Sequence, residues 1–257
     1  MSEAGSLPEH LSASSISTFQ QCPLKFKLSR VDKHSEPPTI HTLMGNFVHE
    51  VLENMYRDFP PEERHIRTAK MLCTTTWESG EWESRVKPYL GKTTLNEFRW
   101  SCWWCVENLF DMEDPSSLFP DGVEYELNDD IDGVLVKGFI DRWHRLSLTE
   151  ARITDYKTGK TPNPRYAKDK FFQLTLYAAM LEKLENIDTF ELELLYLKDG
   201  ARLTHKPTKA EVEAVKETVV TVRREIENCH ANDDWKPQPT PLCNWCIFKQ
   251  GLCTYWN

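Results

Sequence analysis

The sequence predicts an α/β protein: a sheet-and-helix core over residues 121–230, an N-terminal helical region over 1–120 and a C-terminal cysteine tail over 231–257. Three observations carry this expectation. Apolar residues recur at helical spacing through most of the chain up to Met112. The texture then changes to short alternating runs punctuated by Asp132-Gly133 and Asp199-Gly200, both hairpin signals. From Trp235 onward, WKPQPTPLCNWCIFKQGLCTYWN is rich in proline and cysteine and has no period. Helices followed by a β-β-β-α-β(β)-α unit make an α/β core with a helical subdomain in front of it.

Ser14 and Ser15 are expected to cap a short helix through SISTFQQCPLKFKLSR, with Pro23 interrupting or restarting it. After the polar loop DKHSEPPT, residues 42–59 form a helix with Leu43, Phe47, Val48, Val51, Leu52 and Met55 on one stripe. Pro60-Pro61 stop it. Helical patterns continue over 62–85 and 93–112, and the second is crowded with Phe98, Trp100, Trp103, Trp104 and Phe110. DPSSLFPDG closes this half. Strands are expected over 123–127, 134–146, 151–157 and 190–197, and helices over 168–184 and 208–228. Thr208 with Glu211 three residues on forms a capping box.

With 40% hydrophobic and 28% charged residues in 257, the chain can bury a substantial core. Fifteen prolines and ten glycines without low complexity argue against extended disorder. The net charge of -9 counts against a sequence-independent nucleic-acid binder that relies on a broad basic surface. It leaves room for an enzyme whose clustered carboxylates are offset by a divalent metal. MSEAGSLPEH has neither the basic nor the apolar part of a signal peptide, and no window reaches a membrane span. The expectation is a soluble, cytoplasmic protein. In the cytoplasm, eight cysteines are thiols or metal ligands rather than disulfides.

ITDYKTGK, residues 153–160, offers two readings. As a phosphate-binding loop it fails, because Thr154 stands where the first glycine belongs, and Pro162 and Pro164 follow where a helix should start. As a strand end it puts Asp155 and Lys157 on one face and Tyr156 on the other. A lone Asp-x-Lys is usually a solvated ion pair. The preceding strand, however, carries Asp141 in the apolar stretch GFIDR, where a carboxylate needs a partner or a metal. If the two strands pair as a meander, Asp141 and Asp155 converge. Mg²⁺ or Mn²⁺ needs only one or two such carboxylates when water and phosphate complete its shell. Lys157 would then orient or deprotonate the attacking water, or stabilise the charge at phosphorus.

Four motifs in order, Gly45-x-x-x-His49, Gly138-Phe-Ile-Asp141, Asp155-Tyr-Lys157-Thr-Gly159 and Gln173-x-x-x-Tyr177, resemble the RecB-like branch of the PD-(D/E)xK nucleases over nearly the whole chain. The resemblance implies a restriction-endonuclease-like mixed β-sheet core flanked by helices. It implies that His49, Asp141, Asp155 and the Tyr156 carbonyl are metal ligands. Lys157 becomes the catalytic lysine, acting with Asp141 and Asp155, while Gln173 and Tyr177 support the site and contact DNA. The implied activity is a Mg²⁺- or Mn²⁺-dependent DNA exonuclease on single-stranded ends, commonly 5′ to 3′, in phage DNA metabolism or CRISPR-associated adaptation. A helicase or recombination partner is compatible with that activity.

The cysteines divide unevenly. Cys243, Cys246 and Cys253 lie in the irregular tail and Cys22 stands far away in QQCPLKF. Four thiolates suit zinc or an iron–sulfur cluster. The resemblance implies a [4Fe–4S] cluster on these four, stapling the tail to the N-terminus. Cys102-Trp-Trp-Cys105 reads as a pair of helix-core thiols, and Cys73 and Cys229 as ordinary thiols. The Trp-rich helix reads as core, with a stacking platform for single-stranded bases as the alternative. Two other classes of function remain: a non-catalytic DNA-binding or assembly subunit of a recombination complex, and a zinc-stabilised interaction protein.

Overall fold

Helix α1 (Ala13–Gln21) opens with a reciprocal cap: Ser15 N–H donates to Ser12 Oγ at 3.2 Å, and Ser12 N–H donates to Ser15 Oγ at 2.8 Å. The cap is therefore Ser12, and Ser15 is its partner one turn in rather than a cap itself. The computed structural model describes residues 5–163 and 168–256. Cys22 is extended, and Pro23 then starts α2 (Pro23–Phe26) at the position where its missing N–H costs nothing.

Four helices follow: α3 (Ile40–Asp58), α4 (Ile66–Ser79), α5 (Trp82–Val86) and α6 (Leu95–Met112). The continuous helix expected over 62–85 is broken at Gly80-Glu81, where Glu81 has a left-handed φ of 50°. A Cβ on Gly80 would lie 2.7 Å from the Trp82 indole, so glycine lets the chain turn tightly against that buried ring.

The sheet consists of β1 (Gly122–Ile131), β2 (Val134–Arg145), β3 (Glu150–Lys157), β4 (Thr189–Tyr196) and β5 (Ala201–His205), in that spatial order. β1, β2 and β3 form an antiparallel meander. Helix α7 (Phe172–Glu185) carries the chain from β3 to β4, which pair in parallel, and β5 returns antiparallel at the edge. The sheet is thus mixed, as expected. The β1–β2 turn uses two left-handed residues, Asp132 (φ 49°) and Gly133 (φ 87°), the geometry that Asp-Gly favours. Helix α8 (Lys209–Asn232) starts at the predicted Thr208/Glu211 capping box.

Two cores flank the sheet. On one side Leu11, Ile16 and Phe26 pack with Ile140, Ile153 and Leu192 of the sheet, with Leu176 of α7 and with Val219 and Ile226 of α8. On the other, Phe47, Leu52, Trp82, Phe98 and Val106 of α3–α6 pack with Tyr156, Leu195 and Leu197. Period-two alternation explains why neighbours such as Leu194 and Leu195 serve different cores. Each buried aliphatic or aromatic side chain contributes about 1.5–3 kcal/mol.

The Trp-rich helix α6 is core along one stripe only. Phe98, Cys102, Cys105 and Val106 are buried, whereas Trp100 is 69% and Trp104 55% exposed. Trp100 and Trp103 border an open groove with Lys70, Asn96 and Arg99. Among the described residues no helix is long and apolar enough to cross a membrane.

Candidate active site

The site lies where β2 and β3 separate. Their ladder runs from Arg145↔Ala151 to Arg142↔Thr154 and stops there. One residue further, Tyr156 N–H donates to Asp141 Oδ2 at 2.7 Å. A carboxylate thus takes the donor that a strand carbonyl would otherwise satisfy. The fork is fixed from behind by a buried charge network. Arg142, 1% exposed, makes two bonds to Glu113 (2.5 and 2.8 Å), and Thr154 donates to Glu193 at 2.9 Å. Such a network is costly to break from one side, about 3–5 kcal/mol, because it strands a buried charge.

Helix α3 brings His49 across the fork. Its Nδ1 lies 3.4 Å from Asp141 Oδ1 and its Nε2 lies 2.8 Å from the Tyr156 carbonyl oxygen. Burial alone would lower the His49 pKa, but Asp141, Asp155 and the Tyr156 carbonyl outweigh it and raise the pKa to about 9. Facing two acceptors, the ring calls for protons on both nitrogens. Ligating a cation would require it to release one.

Asp155 is 4% exposed. Burial, then the Asp141 charge, raise its pKa to about 6, against the opposing pull of Lys157 and His49. Lys157 Nζ sits 2.6 Å from Asp155 Oδ2. The contact is an ion pair without hydrogen-bond alignment, so that buried oxygen lacks an aligned donor. Burial works against the Lys157 charge, yet Asp155 and Asp141 carry its pKa above the usual lysine value, so it stays an ammonium.

The four motifs meet through close contacts. A Cβ on Gly138 would lie 2.3 Å from the Tyr177 ring, so this glycine admits the ring against β2. Tyr177 is buried, and its hydroxyl accepts from Gln173 Nε2 at 3.2 Å. Gly45 faces Thr158, with 3.5 Å from an ideal Cβ to the hydroxyl. The Gly-Lys-Thr run is an ordinary turn: Thr161 N–H and hydroxyl donate to Asp199 Oδ2 at 2.6 and 2.9 Å.

One residue of the site escaped the sequence reading. Glu124 of β1 brings a carboxylate oxygen to His49 and Asp141, the three ligand atoms lying within 4.8 Å of one another. Burial, then the Asp141 charge, raise its pKa to about 7. In sequence it is one polar position in an alternating strand, with no local signal. The donor set of imidazole, carboxylates and a backbone carbonyl suits a hard divalent cation.

Cys22, Cys243, Cys246 and Cys253 line a single cleft together with Trp245, Phe248 and Trp256. Backbone N–H groups of Gln238 and Thr240 donate to Cys22 Sγ (3.5 Å) and Cys243 Sγ (3.3 Å). The Thr240 N–H lowers the Cys243 pKa, favouring thiolate. Burial pushes the remaining cysteines the other way, Cys73 to about 12, Cys105 to about 11, and Cys102 and Cys229 also upward. Among the described residues no three of the cleft sulfurs come within 4.8 Å of one another.

A five-stranded mixed sheet flanked by helices, with an acid on β2 and Asp-x-Lys on β3 at one fork, defines a restriction-endonuclease-like class of protein. The chain belongs to the PD-(D/E)XK nuclease superfamily, whose family model matches residues 10–253. It is 24% identical to the Gene 69 protein of Mycobacterium phage D29 over 257 aligned residues, covering 91% of this chain and 93% of that one. It is likewise 24% identical to the Gene 69 protein of Mycobacterium phage L5 over 281, with the same coverage. Among solved structures, its fold is similar to that of a candidate exonuclease from Eubacterium rectale: TM-score 0.57, 11% identity, 93% of this chain and 87% of the other.

Proposed function

We propose that this protein is a Mg²⁺- or Mn²⁺-dependent deoxyribonuclease that degrades single-stranded DNA from its ends, 5′ to 3′. The observation that carries the reading is the convergence of His49, Asp141, Asp155 and the Tyr156 carbonyl at the strand fork, with Lys157 beside Asp155. Membership of a nuclease superfamily supports hydrolysis of phosphodiesters. The candidate-exonuclease neighbour supports action at ends, and the mycobacteriophage relatives support a phage setting.

His49, Asp141, Asp155 and the Tyr156 carbonyl would hold the cation. When bound, it would polarise the scissile phosphate and lower the pKa of an attacking water. Asp141 does a second job, fixing the Tyr156 backbone through its N–H and so aiming the carbonyl. Because Lys157 keeps its proton, it acts as a positive charge that orients the water and stabilises negative charge gathering on phosphorus, rather than as the base. Gln173 and Tyr177 brace β2 at Gly138, three residues before Asp141, and would contact the DNA. Exposed Trp100 and Trp104 offer flat faces to unstacked bases.

Cys22, Cys243, Cys246 and Cys253 would hold a [4Fe–4S] cluster that staples the tail to α1 and α2. The shared cleft and the N–H···S bonds support this assignment.

One preparation tests both parts. Oxygen-free protein should contain about four irons and four sulfides per chain, the cluster stoichiometry. It should release mononucleotides or short oligonucleotides from a 5′-labelled single strand at once, and from a 3′-labelled one only late. Cleavage of circular single strands as fast as linear ones would remove the end requirement. Early release of the 3′ label would reverse the polarity, and a colourless, zinc-loaded protein would remove the cluster.

A further inference from the structure

Three carboxylates meet at the fork, but only two belong to the motif pattern. Asp141 and Asp155 are accounted for by their strands. The third, Glu124, comes from β1, where Val123↔Arg142 and Tyr125↔Ile140 bracket it in register and set it opposite Asp141. Like charges facing each other across a strand pair repel, so this placement needs a reason.

The Glu124 side chain makes no hydrogen bond or salt bridge with a described residue. Its backbone adopts a left-handed φ of 43° two residues into β1, where no turn calls for it. Non-glycine residues hold such angles only when surrounding structure imposes them, and such positions gather at functional sites. β2 is irregular at the same level: Ile140 and Trp143 both pack into the core on the α7 side. Strict alternation would put residues three apart on opposite faces, so it breaks at Asp141–Arg142. Both strands therefore bend where the two acids face each other. A separate observation points to a ligand at this spot. Asp155, 4% exposed, holds its buried Oδ2 2.6 Å from the Lys157 ammonium without hydrogen-bond alignment, so the oxygen keeps acceptor capacity that this ion pair leaves unfilled.

The charges give the reason. Three carboxylates against the single Lys157 ammonium leave two negative charges, the complement of one divalent cation when His49 ligates as a neutral ring. Without Glu124 only one would remain. We propose that Glu124 is a metal ligand of this centre, completing with His49 and Asp141 the set whose atoms lie within 4.8 Å of one another. The inference rests on the reading of the fork as a metal site. It adds a ligand from β1 to the acids on β2 and β3.

The test is a Mn²⁺ titration, followed by calorimetry and by the electron paramagnetic resonance of free Mn²⁺, on the full chain and three variants. Asp141→Asn tests the centre; Glu124→Gln and Glu124→Asn test the inference. Wild type should bind Mn²⁺ and Asp141→Asn should not. Both Glu124 variants should bind at least about tenfold more weakly. Glu124→Asn should also melt higher than wild type in the presence of a chelator, because asparagine tolerates a left-handed φ. A ligand role thus separates from a structural one: affinity falls while the fold tightens. Glu124 variants that bind Mn²⁺ within twofold of wild type, beside an Asp141→Asn that does not bind, would overturn the inference and leave the centre standing. Wild type and Asp141→Asn titrating alike would overturn both.

Discussion

At the scale of single residues, the fork is a set of groups that must lose protons before they can ligate. Burial and the Asp141 charge raise Asp155 to about 6 and Glu124 to about 7, whereas burial acts the other way on His49, which Asp141, Asp155 and the Tyr156 carbonyl raise to about 9. The sign follows directly. Below about pH 6 these groups are protonated and compete with a cation for its site; each deprotonation on the way to pH 9 adds a ligand. Mn²⁺ affinity should therefore climb steadily between pH 6 and 9, with protons released on binding. Calorimetry in two buffers of different ionisation enthalpy measures that release. An affinity independent of pH across this window would mean that these groups do not hold the metal. Lys157 behaves differently, since its raised pKa keeps it charged throughout the same range.

At the scale of elements, the site exists because a glycine lets a helix approach a strand. Gly138 of β2 leaves room for the Tyr177 ring of α7, which Gln173 holds from one turn earlier. Gly138→Ala should cost about 1–3 kcal/mol as an overpacked contact. Urea unfolding checks this, and removing the ring as well, in Gly138→Ala/Tyr177→Leu, should recover part of the loss. Additive losses in the double variant would show that the two do not meet. The elements also mark what sequence could convey. Period-two alternation put Asp155 and Lys157 on one face, and the short β2–β3 connection brought Asp141 to them, so this convergence was legible. Glu124 was not, because its left-handed φ leaves no mark on composition or spacing. The break at Gly80-Glu81 was hidden by a helical pattern running through it. Exposure of Trp100 and Trp104 was hidden because an aromatic-rich helix looks the same from sequence whichever face is buried.

At the scale of the whole molecule, two cores on opposite sides of one sheet hold the fork between them. The layer of α3–α6 supplies His49, while the sheet with α7 supplies the acids, Lys157, Gln173 and Tyr177. Their relative position is fixed by the buried Arg142, which reaches Glu113 at the end of α6 and stacks 4.7 Å over Tyr56 of α3. The order of elements could be read from the sequence, because hairpin turns and helical runs mark it, and the mixed sheet followed from the family resemblance. The partition between cores could not, since α1 and α2 leave the helical half and pack on the sheet. The central claim is that the fork hydrolyses DNA through a bound divalent cation. It is tested most directly by following end-labelled single-stranded DNA with Mn²⁺, comparing wild type with Asp141→Asn and Lys157→Ala variants of unchanged melting temperature. The account predicts that each substitution slows degradation at least about a hundredfold, as loss of a charge-stabilising group does, and that chelator stops the wild type. Degradation at the wild-type rate by both variants would contradict it.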